Sequence, residues 1–171
     1  MKTNGSAYVV IAGAVIMGYL GYQLWFNPAR AVKRRLGEVA AALSIPANDT
    51  ALGRVTRLAR LRRYLAGDLR VRDEVTGRDL TSRDDVLAIV AKWTPPPPGV
   101  WDVAFVDVQI TVDSATEARS LLTVEVADHD RLTGDQPIDT RDAAVTLSKR
   151  DSEWVITTVE AKANLSTPAR R

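Results

Sequence analysis

The sequence contains no cysteine and one histidine, and aromatic residues make up only 6% of its 171 positions. Without cysteine, the chain cannot form disulfides, use a thiolate nucleophile or bind a metal through thiolates. The histidine, His129, follows a predicted strand, and one histidine alone does not make a catalytic or metal site. The sequence also lacks a glycine-rich phosphate loop, a nucleophile elbow and a zinc-protease motif. We therefore predict no cofactor and no bound metal.

The charges are divided unevenly along the chain, although the net charge is only +2. Residues 30–72 contain eleven basic and three acidic side chains, a net charge of +8. Residues 73–171 contain eleven basic and eighteen acidic side chains, a net charge of −7. Such a division bears on surfaces and partners rather than on the fold. Nucleic-acid binding would favour aromatic residues or glycines interleaved with the cations, and the basic half has only one aromatic residue and three glycines. We therefore expect the basic half to contact a membrane or another protein.

A long uncharged run lies close to the N-terminus. The twenty residues from Ala7 to Phe26 contain no charged side chain, and as a helix they would span about 30 Å, the thickness of a bilayer's hydrocarbon core. Aromatic side chains lie near both ends, as at membrane interfaces. We predict a single transmembrane helix over this run, preceded by a short tail within residues 1–28. The alternative is a cleaved signal peptide, whose apolar part is usually shorter and ends in small residues.

Four cationic residues follow this run: Arg30, Lys33, Arg34 and Arg35. We predict that they contact the membrane surface, where anionic headgroups attract each cation by about 1 kcal/mol. Because Lys2 is the only charged side chain before the run, the positive-inside rule favours a cytoplasmic domain at the inner membrane of a bacterium. The opposite orientation stays open, since Lys2 before a long apolar run is also typical of a signal anchor that exports the following domain.

Hydrophobic periodicity predicts three helices in the rest of the chain. The first covers Ala29 to Leu43, and the second begins at a cap formed by Asp49 or Thr50 and runs to about Ala66. The third begins with Ser82 as its cap, and the prolines at 95–98 end it. The apolar face predicted for the second helix consists of Leu52, Val55, Leu58, Ala59 and Leu65. Its polar face consists of Arg57, Arg60 and Arg63.

Alternation of apolar and polar residues predicts one short edge strand and four longer strands. The edge strand covers Leu69 to Val75 and is followed by a turn at Gly77. The longer strands fall within residues 105–113, 119–127, 143–147 and 154–161. Because one side of each strand is apolar and the other polar, we predict an antiparallel sheet that is covered on one face. The predicted domain spans residues 29–163, and residues 164–171 form a polar tail.

The order of these elements, with the segment from Ala143 to Val159 and the loop and third helix from Gly77 to Trp93, resembles the nuclear transport factor 2-like superfamily, also called ketosteroid isomerase-like or SnoaL-like. The resemblance covers about Ala31 to Ala163. It implies an α+β fold in which a curved, cone-shaped sheet packs on three helices. Members of that superfamily include enzymes, ligand carriers and assembly modules, so the resemblance implies a fold and no single activity. Membrane-tethered members, such as Mce-associated proteins and some secretion-system subunits, have a similar outline.

Candidate site residues follow from this fold. Four aromatic residues could line the mouth of the cone and hold an apolar ligand: Tyr64, Trp93, Trp101 and Phe105. Packing in the core explains the same four residues. Asp107 and Glu125 fall on the polar sides of their strands, so we expect both to face solvent rather than to act as catalytic carboxylates.

Two functional hypotheses follow. The first is a membrane-anchored, non-catalytic assembly module that associates with itself or with other subunits of a bacterial envelope complex. The absence of a catalytic set and the divided charges favour it. The second is a cone that binds, and in an enzymatic version converts, a small apolar or lipid-like molecule. It predicts a cavity lined by the aromatic residues together with at least one buried carboxylate.

Overall fold

The structure, a computed structural model, describes residues 27–74, 76–94, 100–128 and 138–162. The predicted transmembrane run from Ala7 to Phe26, the prolines at 95–98, His129 and the tail at 164–171 all lie outside these residues. Within the described parts of the chain, no helix is both long enough and apolar enough to cross a bilayer.

The described chain has an α+β fold, with three helices and one six-stranded sheet. The helices are α1 (Pro28–Leu43), α2 (Ala51–Tyr64) and α3 (Arg83–Ala91). The strands are β1 (Leu65–Asp73), β2 (Arg78–Leu80), β3 (Trp101–Val112), β4 (Glu117–Asp128), β5 (Ile138–Arg150) and β6 (Glu153–Ala161). Their order across the sheet is β2-β1-β6-β5-β4-β3. The predicted combination of three helices and a sheet is confirmed.

Helix α1 forms where the sequence predicts it and covers the inner face of the sheet. The side chain of Asn27 caps the helix by accepting a hydrogen bond from the backbone N–H of Ala29 at 3.0 Å. On the predicted apolar face, Val32, Leu36 and Val39 are buried. Beyond its C-terminal end, Ile45 and Trp101 exchange two backbone hydrogen bonds of 2.7 and 3.1 Å. The end of α1 is therefore fixed to the start of β3.

The inner face of the sheet forms the other half of the core. On β4, Ala118 and Leu122 are buried, and on the neighbouring β5 the buried residues are Ala143, Val145 and Leu147. The alternating positions on both strands face away from this core, so the prediction of a sheet covered on one face is confirmed. The last strand alternates less cleanly, because the β5–β6 register shifts between Thr146 and Leu147.

The pairing of β1 differs from the prediction. This strand begins at Leu65, so α2 ends at Tyr64 and not near Ala66. It pairs in parallel with β6, and the sheet is therefore not fully antiparallel. The edge strand on that side is the three-residue β2, which the prediction missed. Gly77 makes the predicted turn between β1 and β2 with a φ of +66°, a conformation that favours glycine.

The predicted faces of α2 are only partly confirmed: Leu58 packs against the core, and Arg60 and Arg63 are exposed, as predicted. Leu52 and Val55, assigned to the core, are 77% and 64% exposed. Arg57, assigned to the polar face, is buried, as is Leu61. The cause is an ion pair between Arg57 and Asp49, described below, which allows the arginine to occupy the inner side of the helix. The predicted cap is confirmed, since Thr50 Oγ1 accepts a hydrogen bond from the N–H of Gly53 at 3.0 Å.

Two serines, Ser120 in the core and the partly buried Ser44 after α1, differ in their hydrogen bonding. Ser120 is 1% exposed, and its hydroxyl has no hydrogen-bond partner among the described residues. Ser44 Oγ accepts a hydrogen bond from the N–H of Val103 at 2.9 Å and lies 3.1 Å from the carbonyl oxygen of Ala40. Substitution by alanine at the two sites should therefore change the free energy of unfolding in opposite directions.

We predict that Ser120→Ala raises the free energy of unfolding by up to about 1 kcal/mol, because it removes a buried hydroxyl without a partner. Ser44→Ala should lower it by about 1 to 2 kcal/mol, because the N–H of Val103 loses its acceptor. Urea unfolding of the full chain in mild detergent, followed by tryptophan fluorescence, measures both. Equal losses in the two variants would contradict the assignment of Ser120.

Candidate functional site

The interior of the fold contains an apolar cavity of about 190 Å³ between the helices and the inner face of the sheet. Its lining comes from α1, α2, α3 and five strands, and every lining residue is apolar. Examples are Val39 of α1, Leu61 of α2, Phe105 of β3 and Val145 of β5. The lining offers close apolar contact and no side chain that could accept, donate or hold a proton. The hypothesis of a ligand-converting cone predicts a buried carboxylate in the cavity, and no Asp or Glu is among the residues that line it.

The structure does not bring the four candidate aromatic residues together. Phe105 lines the cavity, whereas Tyr64 lines a separate groove between α1 and α2. Trp93 and Trp101 contact each other edge to face, with ring centroids 6.0 Å apart. Phe105 lies on an inward-facing position of β3. Tyr64 is the last residue of α2, Trp93 lies two residues beyond the end of α3, and Trp101 is the first residue of β3. The sequence indicated that these four aromatic residues lie at or near the core, but it did not show that they lie at separate sites.

The outer face of the sheet is open in the described part of the chain, and no described helix packs on it. At its centre, Leu121 of β4 is 55% exposed. Its neighbours across the strands are Gln109 of β3 and Ala144 of β5. Around them lies a shallow depression of about 460 Å³, whose lining includes Thr111, Arg119, Thr146 and Glu160. The centre of this outer face is uncharged, and charged side chains lie at its borders.

Ion pairs border the outer face. Arg119 donates two hydrogen bonds, of 2.9 and 2.8 Å, to the carboxylate of Asp113, and this bond holds the pKa of Asp113 below its usual value. Asp107 is exposed, as predicted, and has a φ of +50° where the β3–β4 register shifts. Glu125 lies on β4 and is partly buried.

The four cations predicted to contact the membrane differ in their environments. Arg30, Lys33 and Arg34 are exposed on α1. Arg35 is held within the fold. Its side chain is 13% exposed, forms ion pairs of 3.1 Å with Glu38 and Glu153, and stacks over the ring of Tyr64 at 4.7 Å. Arg35 therefore connects α1 to α2 and to the β5–β6 turn, and its predicted contact with lipid stays a prediction.

A buried charge cluster lies at the start of α2. Arg57 is 8% exposed, and its two terminal nitrogens donate to the carboxylate oxygens of Asp49 at 3.0 and 3.3 Å. Arg54 Nε donates to the same carboxylate at 3.2 Å. The Nε of Arg57 is buried without a hydrogen-bond partner among the described residues. The sequence analysis gave Asp49 or Thr50 as the helix cap and placed Arg57 on the polar face, so no local pattern in the sequence indicated this pair.

The described residues contain no group of His, Asp and Glu side chains that could hold a metal ion. The sequence analysis predicted a strand within residues 119–127 but did not single out Leu121. The available signal was the Leu121–Leu122 pair itself, since consecutive strand residues point to opposite faces and one of two adjacent leucines must lie on the outer face.

Comparison with known proteins supports the fold. No family model matches the chain, and no curated protein matches it. Among solved structures, a nuclear transport factor 2-like protein with a cystatin-like fold from Novosphingobium aromaticivorans has a TM-score of 0.64 at 11% identity and covers 88% of this chain and 91% of its own. A putative ketosteroid isomerase from Shewanella frigidimarina has a TM-score of 0.54 at 17% identity and covers 77% and 94%.

A third solved structure, the association domain of C. elegans CaMKII, has a TM-score of 0.56 at 10% identity and covers 80% of this chain and 93% of its own. These likenesses show that the chain has the nuclear transport factor 2-like fold. At such identities they say nothing about which residues act or what they act on.

Removing one member of the buried charge pair should be costly. We predict that Asp49→Asn lowers the free energy of unfolding by about 3 kcal/mol or more, because it leaves the guanidinium of Arg57 buried without a counter-charge. Adding Arg57→Met should restore much of the loss. The control is Asp113→Asn, which removes one member of an exposed pair and should change stability little. Urea unfolding measures all three, and a loss in Asp49→Asn no larger than in the control would contradict the assignment.

Proposed function

We propose that this chain is a membrane-anchored, non-catalytic assembly module, and that the open outer face of its sheet associates with a second copy of the chain. The observation that carries this proposal is Leu121, a large apolar side chain that is 55% exposed at the centre of a sheet face that no described helix covers. Complete burial of a fully exposed leucine contributes about 1.5 to 3 kcal/mol, and burial of the exposed half of Leu121 would contribute about half of that. Exposure of Leu121 to water therefore costs free energy in a monomer, and its burial would stabilise an assembly.

The composition of the outer face fits a two-fold contact. In a symmetric dimer the same patch is used by both copies, so it must be complementary to itself. Threonine and glutamine side chains around Leu121 can donate and accept hydrogen bonds. The borders of the depression carry opposite charges, with Arg119 on one strand and Glu160 two strands away. A two-fold axis through the centre would place an arginine of one copy towards a glutamate of the other.

The membrane anchor is part of the same proposal. The twenty uncharged residues from Ala7 to Phe26 end just before Asn27, which caps α1. The domain would therefore begin at the bilayer surface with its first helix, and Arg30, Lys33 and Arg34 would lie within two turns of the headgroups. We place the chain in the inner membrane of a bacterium as a single-pass protein, with the domain on the cytoplasmic side according to the distribution of cations.

Two further observations support an assembly role over a catalytic one. The cavity inside the fold has an entirely apolar lining, whereas general acid–base chemistry needs a titratable group in contact with the substrate. Association is also a use to which this fold is put elsewhere, since one of the solved structures similar to this chain is an association domain.

The alternative function is binding of a small apolar molecule in the cavity. The apolar lining of the cavity favours this function, and the volume of the cavity limits the size of the ligand. Pockets for drug-sized ligands usually measure about 300 to 1,000 Å³, and this cavity measures about 190 Å³. A ligand would be at most a few carbon atoms larger than benzene. Such a molecule would raise the midpoint of thermal unfolding of the chain.

Cysteine cross-linking tests the proposed interface, because the chain has no native cysteine. We predict that Leu121→Cys forms a disulfide-linked dimer when membranes containing the full chain are oxidised, because the residue lies near the proposed two-fold axis. Ala115→Cys, exposed in the β3–β4 turn, is the matched control and should stay monomeric.

A second variant, Leu121→Arg, should shift the full chain in mild detergent from dimer to monomer in size-exclusion chromatography with light scattering, because it places like charges at the axis. If Leu121→Cys forms no more dimer than the control, and Leu121→Arg has the same molar mass as the wild type, the outer face is not the interface.

A further inference from the structure

We infer that the exposed face of α2 is a second contact surface, which lies on an anionic lipid bilayer. This inference rests on the proposed membrane anchor and goes beyond it, because it assigns a lipid contact to the folded domain itself. The helix contains five arginines and no acidic residue. Its exposed face also carries the two most exposed large apolar side chains among the described residues, Leu52 and Val55.

The helical geometry places these apolar residues opposite the core. Successive residues of an α-helix are separated by 100°, so Leu52, Val55 and Ala59 fall within about 60° of one another. The inward side is defined by Leu61 and Arg57, which are buried. The line through Leu52, Val55 and Ala59 lies on the other side of the helix, and all three are exposed. They form a narrow apolar strip, called the α2 strip below.

Arginines flank the α2 strip on both sides. Arg60 and Arg63 lie on one side of it and Arg62 on the other, and all three are exposed. Neither Arg60 nor Arg63 has an ion-pair partner among the described residues, whereas Arg62 lies 3.7 Å from the exposed carboxylate of Asp84. An apolar strip with cations on both borders, on a helix that itself contains no acidic residue, is the pattern of a helix that lies in the headgroup region, where the strip enters the acyl boundary and the cations face lipid phosphates.

The position of α2 relative to the start of the domain brings this strip within reach of the bilayer. Helices α1 and α2 are joined by the short segment 44–50 and run in opposite directions, since Arg35 in the middle of α1 stacks on Tyr64, the last residue of α2. The arginine-rich end of α2 therefore lies beside the middle of α1, about two helical turns from the end of α1 at which the described chain begins. The twenty uncharged residues up to Phe26 immediately precede that end.

An acidic protein surface is the other kind of partner that arginines would suit. Lipid fits better for two reasons. The apolar residues form a strip only one side chain wide, which suits insertion between headgroups more than burial in a protein interface, where a broad packed centre is typical. The proposed anchor also holds a bilayer beside this end of the domain at all times.

The test uses the full chain, reconstituted in lipid nanodiscs, with single cysteines labelled by an environment-sensitive fluorophore. Leu52→Cys reports on the α2 strip, and Ala115→Cys in the β3–β4 turn is the matched control. The nanodiscs contain phosphatidylcholine alone or phosphatidylcholine with phosphatidylglycerol, and aqueous iodide is the quencher. We expect the quenching constant at position 52 to fall several-fold when phosphatidylglycerol is present, with a blue-shifted emission, and to stay unchanged at position 115.

A variant with Arg60→Gln and Arg63→Gln, both on the surface of α2, should restore quenching at position 52 without changing the circular dichroism of the domain. Equal quenching at position 52 in the two lipid compositions would overturn the inference. Protection that grows with protein concentration and ignores phosphatidylglycerol would also overturn it, since it would indicate a protein partner. Failure of the anchor is seen separately, as release of the full chain from vesicles by alkaline carbonate.

Discussion

The inner face of the sheet is covered by α1, and the rest of the structure depends on this contact. Val32 and Leu36 of α1 are completely or almost completely buried, and they share one core cluster with Ala118 on β4 and Leu147 on β5, which have no exposure. The helix is fixed beyond its C-terminal end by the Ile45–Trp101 backbone pair and at its middle by the ion pair of Arg35 with Glu153. A sheet held in this way buries one face, and no described helix covers its other face.

The same contact determines what the interior can do. The space that remains between α1, α2 and the strands is small and entirely apolar. Polar and charged groups lie elsewhere, in the Asp49–Arg57 pair at the start of α2 and in the ion pairs at the borders of the sheet. The Asp49–Arg57 pair is buried, whereas the Arg119–Asp113 pair at the border of the sheet is exposed, on the face proposed to contact a second copy. The outer face and the α2 strip lie on different elements, so a partner and a membrane need not compete.

Local patterns in the sequence were sufficient for the elements that depend on local interactions. The caps at Thr50 and Ser82, the apolar face of α1 and the alternating faces of β4 and β5 follow from neighbouring residues, and the structure confirms them. Pairing between distant segments left no local pattern, and the parallel contact of β1 with β6 was therefore not predicted. Leu52, Val55 and Arg57 of α2 were assigned to the wrong faces because a buried ion pair outweighed hydrophobic periodicity. The candidate aromatic residues were identified as core residues, but only Phe105 among them lines the cavity.

Native mass spectrometry of the full chain, released directly from lipid nanodiscs, tests the central claim that this protein is a self-associating membrane module. The account predicts a dominant species with twice the 18.7 kDa mass of the chain, and the loss of that species in Leu121→Arg. A single chain as the only species for the wild type, across the range of concentrations found in membranes, would contradict it.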